Sequence, residues 1–556
     1  MSRGKPGARL GLLAAAALAA AALTLAGCGA RFESFPFALA GGTRIDIRET
    51  PGMPRDQEGR LAPAAGDSAT PVYRLRRAAS VARENEAFAV DYTGTLSEAR
   101  LTIFSDRKKE LKSVALPAAG ATRIRYLVPL GRGDRIWGFQ VSAGPGSSGA
   151  TSGGWLQLAA AGTSPFIHGF AIEGNVLAVD GSVSVLAASA SSVQARISTA
   201  TRDEMSRGAW QVTIRVEPTA WEGDRELRFT GLGGEVAVFS VSPPLGVDML
   251  EFSRGTIGFL PRDIRATIPV RGLEISRLPQ GGAIPADPGM VLAWDRASWR
   301  RPDFEVFSWV RLPRVLIFDT ASYDVQDALF NRLAFFVEKA GYVGAIPDPE
   351  SLSHAYNAHD YRAEDLARFF SAAETLGIGL TPEETELRKI LVEEGIIRPG
   401  DAGYAPGDGA VVSISRSSSP ILRDLLITHE CFHGVFFSIP GFRDACQAAW
   451  QALSDTEKGV WLAFLSSKKY NTGDQYLVTN EFQSYLFQQA REEVKGFQAV
   501  TLSRLRSRSA ADAGLVSRLR AERPDSFLRS FDALDEALRT AGGPPGGKAI
   551  AVRRAR

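Results

Sequence analysis

The sequence predicts a multidomain chain, with all-β sandwich modules in its N-terminal half and an α+β, mainly helical unit in its C-terminal half. Three observations carry this. At 556 residues the chain is longer than one ordinary domain. From about Ser80 to Arg311 apolar residues recur with a period of two, the period of a half-buried strand. Beyond Leu312 the period lengthens to that of amphipathic helices, with short apolar strands between them. A hydrophobic content of 45% with 23% charge is that of a globular chain.

Residues 1–27 read as a signal peptide. Arg3, Lys5 and Arg9 form a positive start, an alanine-rich apolar run follows from Leu10 to Ala26, and small residues close it. Leu25-Ala26-Gly27-Cys28 resembles a bacterial lipobox, which implies lipidation of Cys28, anchoring to membrane through that lipid, and residence in the bacterial cell envelope. Residues 28–79, rich in Gly, Ala, Pro and Arg, suit a tether reaching roughly 35 Å.

Alternation is clearest in "WQVTIRVE", where Trp210, Val212, Ile214 and Val216 interleave with polar residues, so that one face is buried and the other wet. "ARLTIF", "RIRYLV" and "EVAVFSV" repeat the habit between Gly- and Pro-bearing turns. The Gly/Ser run Ala143–Gly154 divides this half into an immunoglobulin-like module, 80–150, and a larger, jelly-roll-like one, 151–311. Trp210 and Trp221 read as core residues rather than sugar platforms, although carbohydrate or protein contacts are open to such modules.

The third unit spans 312–545. "DVQDALFNRLAFFVEKAG", "RAEDLARFFSAAETLG" and "PEETELRKILVEEG" have helical spacing, and "GAVVSIS" returns to a strand. Residues 546–556 read as a disordered tail. A formal net charge of +2 with no basic cluster argues against nucleic acid as a partner. After Cys28 only Cys431 and Cys446 remain, and the sequence permits either a disulfide or two buried thiols.

"SSSPILRDLLITHECFHGVFFSIPG" starts and stops as a helix should, with Ser419 as N-cap, Pro420 at the first helical position and Pro440-Gly441 at the close. His429 and His433 then lie one turn apart, so both imidazoles can reach one metal ion, while Glu430 is offset by about 100°. With five histidines in the chain, chance would produce this spacing only about a few times in a thousand such sequences. His354 and His359 read as ordinary surface or cap residues.

This segment resembles the zincin superfamily of zinc metallopeptidases, in which such a helix follows a small sheet whose edge strand holds the peptide. The resemblance implies a zincin-like metallopeptidase domain, a zinc cofactor and a peptide or protein substrate, and assigns "GAVVSIS" to that edge. The metzincin branch needs a further histidine where Ile439 stands and is excluded. A third protein ligand must come from elsewhere. Glu457 has capping-box spacing from Ser454, which a structural role explains. Glu481 sits among Leu477, Phe482, Tyr485 and Leu486, where a carboxylate is costly unless paired or metal-bound. Asn480-Glu481 downstream of the histidine helix resembles the gluzincin arrangement, which favours Glu481.

The implied chemistry is hydrolysis by zinc-activated water, with Glu430 as general base and Tyr476 or Tyr485 as oxyanion donor. Two other readings compete. One is a lipid-anchored surface binding or adhesion protein whose zincin-like unit is structural. The other is a zinc amide hydrolase acting on cell-wall material.

Overall fold

A computed structural model describes residues 37–40, 43–49, 60, 72–83, 86–96, 99–142, 155–165, 167–189, 191–217, 221–339, 341–401 and 403–555. Residues 1–27, read from the sequence as a signal peptide, Cys28 and the Gly/Ser run lie outside these residues. The chain is multidomain, with β-sandwich-like parts and a helical C-terminal part. It divides into two compact units, Met1–Ile167 with Ile172–Asp180, and His168–Ala171 with Gly181–Arg556.

In the first unit a five-stranded antiparallel sheet runs in the order Ile47–Glu49, Val72–Ser80, Arg135–Ser142, Ala99–Ser105, Glu110–Leu116. A second sheet has Gly120–Pro129, Glu86–Gly94 and Leu156–Pro165 at its centre, and Phe37–Ala38 adds to Leu156–Pro165 in parallel. Phe88 of one sheet meets Phe139 of the other edge-on at 5.2 Å, which makes the pair a sandwich with a shared aromatic core. Two expected boundaries change here. Part of the expected tether is sheet, since Phe37 and Tyr73 are buried. The break expected after residue 150 falls instead between 167 and 181, because Leu156–Pro165 pairs along its length with Glu86–Gly94.

The second unit opens with another sandwich. Met249–Ser253, Trp210–Val216 and Val270–Arg277 pair antiparallel, and a six-stranded sheet lies opposite them. Phe252 meets Phe229 and Phe239 across the gap at 5.0 Å each. Trp210–Val216 is central, so its polar Gln211 and Thr213 are buried along with its apolar residues. Residues 546–556 are not a loose tail: Val552–Arg554 pairs with Val236–Val241, and Ala549 and Val552 are fully buried.

The sheet that supports the histidine helix runs Ile284–Ala286, Phe304–Trp309, Leu312–Thr320, Ala410–Ser415, Ala358–Arg362. The boundary expected at 311/312 therefore cuts a hairpin, because Phe304–Trp309 and Leu312–Thr320 are antiparallel neighbours. Ala410–Ser415 is interior and buried at all six positions, as a strand covered on both faces should be. The edge belongs to Ala358–Arg362, which alternates half-buried and buried residues, so the assignment of "GAVVSIS" to the edge is corrected.

Helices Tyr323–Glu338, Ala363–Thr375 and Pro382–Glu393 bury Phe330, Leu333, Phe369 and Leu391 on one face of this sheet with Leu316 and Phe318. The helix Pro420–Ser438 covers the other face. Gly434 lets it come close, since a Cβ there would sit 2.7 Å from Val315 Cγ1. Burying Ile427, Phe432, Val435 and Phe436 contributes about 1.5–3 kcal/mol per side chain. Buried Asp319 ties the sheet to the helix through Arg423 at 2.9 Å.

Candidate metal centre

The histidine helix begins as its sequence predicts, with Ser419 Oγ accepting from the Leu422 N–H at 3.3 Å and Pro420 in the first turn. His429, Glu430 and His433 are all buried. The two histidines point their Nε2 atoms at one another, 3.0 Å apart. His433 Nδ1 lies 3.0 Å from Ser484 Oγ, which fixes the ring and leaves Nε2 facing the site. Burial pushes the His429 imidazole down to about 4, so it is neutral near pH 7 and offers a lone pair.

Glu481 comes from the helix Gln475–Phe487, capped by Asp474. Its oxygens lie 3.4 Å from His429 Nε2 and 3.6 Å from His433 Nε2. Gln483 Nε2 donates to the Phe432 carbonyl at 3.1 Å and bolts this helix to the histidine helix. Burial lifts the Glu481 carboxyl to about 7; His433 and Tyr470 pull the other way, and Asp360 adds to the rise.

His429, His433 and Glu481 offer donor atoms that all lie within 4.8 Å of one another. Glu481 Oε2 is buried without a hydrogen-bond partner. A buried carboxylate oxygen left unpaired beside two imidazoles is costly unless a cation completes the group. The residues present therefore fit a metal ion, and two nitrogens with one oxygen suit a transition metal better than magnesium or calcium.

Around the triad the structure places residues that sequence reasoning missed. Asp360, on the edge strand, approaches His433 Nδ1 at 3.9 Å and forms a second potential donor group with Glu430 and His433. Burial, Asp360, Glu481 and Glu338 together raise the Glu430 carboxyl well above the usual range. Tyr470 sits in the turn before the glutamate helix and shares a hydrogen-bonding interaction with Tyr485. The edge strand carried one faint signal, the alternation in "AHDYR".

Of the two tyrosines named from sequence, Tyr485 reaches the site, its ring against His429 at 4.7 Å. Tyr476 is not brought there. It packs on Phe436 at 5.3 Å and beneath Arg362. The helix explains this: four residues from Glu481 turn the chain by about 40°, five in the other direction by about 140°.

Glu457 is a structural residue. Its carboxylate accepts from the Ser454 N–H at 2.9 Å, from Ser526 Oγ at 2.7 Å and from Arg529 at 3.1 Å. His354 pairs with Asp327 at 2.9 Å. His359 faces the core against Phe330, and burial lowers it to about 3. Cys431 and Cys446 are buried free thiols. A cleft of about 430 Å³ opens at His429 and Glu430, and Tyr470 and Tyr485 line it.

No protein-family model matches the chain, and no curated protein does. Among solved structures, the glycoside hydrolase domain of Endo-D from Streptococcus pneumoniae R6 is 11% identical with a TM-score of 0.13, covering 41% of this chain. This chain spans 36% of that one. The Cucumber Necrosis Virus structure is 10% identical over 46% of this chain and 90% of its own, with a TM-score of 0.12. At these scores neither likeness bears on fold or function.

Proposed function

We propose that the chain is a zinc-dependent hydrolase of peptide bonds, a gluzincin-like metallopeptidase anchored in the bacterial cell envelope through a lipid on Cys28. The observation that supports this most is the convergence of His429, His433 and Glu481 from two helices, with Glu430 beside them at the mouth of a cleft. When bound, zinc would supply a Lewis acid and lower the pKa of a water on it to about 7.

The chain's own residues do the rest. Glu430 takes the proton of the attacking water and delivers it to the leaving nitrogen. Ser484 holds the His433 ring, and Gln483 ties the two ligand-bearing helices together through the Phe432 carbonyl. Tyr485, whose hydroxyl burial keeps protonated, is the hydrogen-bond donor for the oxyanion. The free edge of Ala358–Arg362 offers backbone groups to an extended peptide.

The deciding variant is Glu430→Gln, which keeps shape but cannot accept the proton. It should fold, bind zinc as the parent does, and lose peptide hydrolysis by roughly 10² to 10⁴-fold. Cleavage that survives both this substitution and a chelator would sink the proposal. Zinc-loaded protein that spares a peptide library would point to other amide bonds or to a binding role. For the anchor, Cys28→Ala should turn a detergent-released membrane protein into an unprocessed or soluble one; unchanged membrane association would remove the lipid from the reading. No helix among the described residues is long and apolar enough to cross a membrane.

A further inference from the structure

The cleft beside Glu430 has an unequal charge. Its lining is mixed, with Phe464 and Phe497 beside Asn357, Gln488, Gln489 and Thr501; Glu430 is the carboxylate among the lining residues, with Asp360 and Glu481 close behind it. Two cations line it, Lys468 and Arg504, from the end of the helix Asp455–Ser467 and from the helix Val494–Arg506. Both are exposed, and among the described residues neither has an acidic partner; Lys468 Nζ lies only over the Phe464 ring, at 5.9 Å. The cleft's volume of about 430 Å³ is within the usual range for a ligand pocket. Some arginines on this surface are paired, among them Arg491 with Asp532, Arg539 with Glu536 and Arg553 with Asp424. Leaving two like charges unpaired in one recess costs stability and raises the local concentration of anions.

We infer that this subsite selects substrates carrying a carboxylate within a residue or two of the bond to be cut, with Lys468 and Arg504 as the specificity-determining pair. This rests on the peptidase reading for the word "cut", but not for the recognition itself. The carboxylate has two sources, an acidic side chain or the free C-terminus of a peptide. Both present the same charge to the same two cations.

The test uses three fluorescent peptides of equal length: one with glutamates and an amidated end, one with glutamines and a free end, one with glutamines and an amidated end. Binding to the zinc-loaded Glu430→Gln protein is read by polarisation, and cleavage is read with the parent. At least one carboxylate peptide should bind tighter than the neutral one, by about two- to fivefold for each cation engaged, with the advantage fading in high salt. The first two arms tell side chain from terminus. The double variant Lys468→Glu, Arg504→Glu should transfer the preference to lysine-bearing peptides. Lys468→Gln, Arg504→Gln should abolish it, which guards against a folding defect in the reversal.

Equal affinity for all three peptides overturns the inference. So does equal cleavage of acidic and neutral peptides, which would leave the peptidase reading standing. Selective binding of carboxylate peptides with no cleavage of any would do the reverse: it would remove the peptidase and keep the subsite.

Discussion

Glu457 and Glu481 sit on consecutive helices, both buried, both downstream of the histidine pair. Their surroundings differ in kind. Glu457 is saturated, with a backbone N–H, two serine hydroxyls and Arg529 all donating to it. Glu481 has an oxygen with no partner and two imidazoles within 3.6 Å. A protein interior tolerates a carboxylate in either state, but only the first needs nothing further. The difference teaches that an unfinished hydrogen-bonding set beside two imidazoles, rather than burial or place in the sequence, is what singles out Glu481 as the candidate ligand.

The comparison can be broken most directly at Glu481. Glu481→Ala should weaken zinc binding by more than about 100-fold, since loss of a mere positioning partner costs roughly 10- to 100-fold. Metal analysis after dialysis against a graded chelator would read this, and retention equal to the parent would reopen the ligand set. Ser484→Ala probes the next shell. Freeing the His433 ring should cost that smaller 10- to 100-fold factor while the fold survives, and an unchanged affinity would leave Ser484 with packing alone.

Glu457→Ala should leave zinc untouched and remove about 0.5–2 kcal/mol of stability, the range for a lost helix cap, read as a lower unfolding midpoint. A zinc deficit in that variant would erase the distinction. The smallest effect is in acid. Burial alone would push the Glu457 carboxyl up, but Ser526, Ser454 and Arg529 together hold it below the usual range. Its ionised form is thus favoured by folding, so its contribution is complete above the unfolded value near pH 4.3 and fades as the pH falls through the lower folded value. Glu457→Gln should flatten that part of a stability–pH curve, and an unaltered acid limb would show that the charge is not used.

The histidine helix was readable because its signals are local: an N-cap, a proline, a one-turn spacing and an apolar face. Glu481 was readable for a related reason, as a lone carboxylate in an apolar helical stretch. Asp360 was not. It lies on a five-residue strand beside two histidines that look like surface residues, and only pairing with Ala410–Ser415 turns it toward His433. Tyr470 sits in a turn, where no periodicity exists to aim a side chain. The module boundaries failed similarly, because a Gly/Ser run breaks local structure without telling which sheet the chain rejoins. Strand pairing across some 62 to 79 residues, Leu156–Pro165 with Glu86–Gly94, decides that, and no short window along the sequence contains it.

The pairing of Val552–Arg554 with Val236–Val241 has a consequence in time. Asp287 accepts from the backbone N–H groups of Ala551 and Val552, which lie 264 and 265 residues further along the chain. During synthesis at about 5–20 residues per second, that carboxylate and the sheet edge beyond it wait tens of seconds for their partners. The sandwich of the second unit is thus completed by residues made after the histidine helix, and closing it late makes assembly of this unit slow by topology rather than by local propensity. Until residues 549–554 arrive, an open strand edge is exposed to any chain that can pair with it.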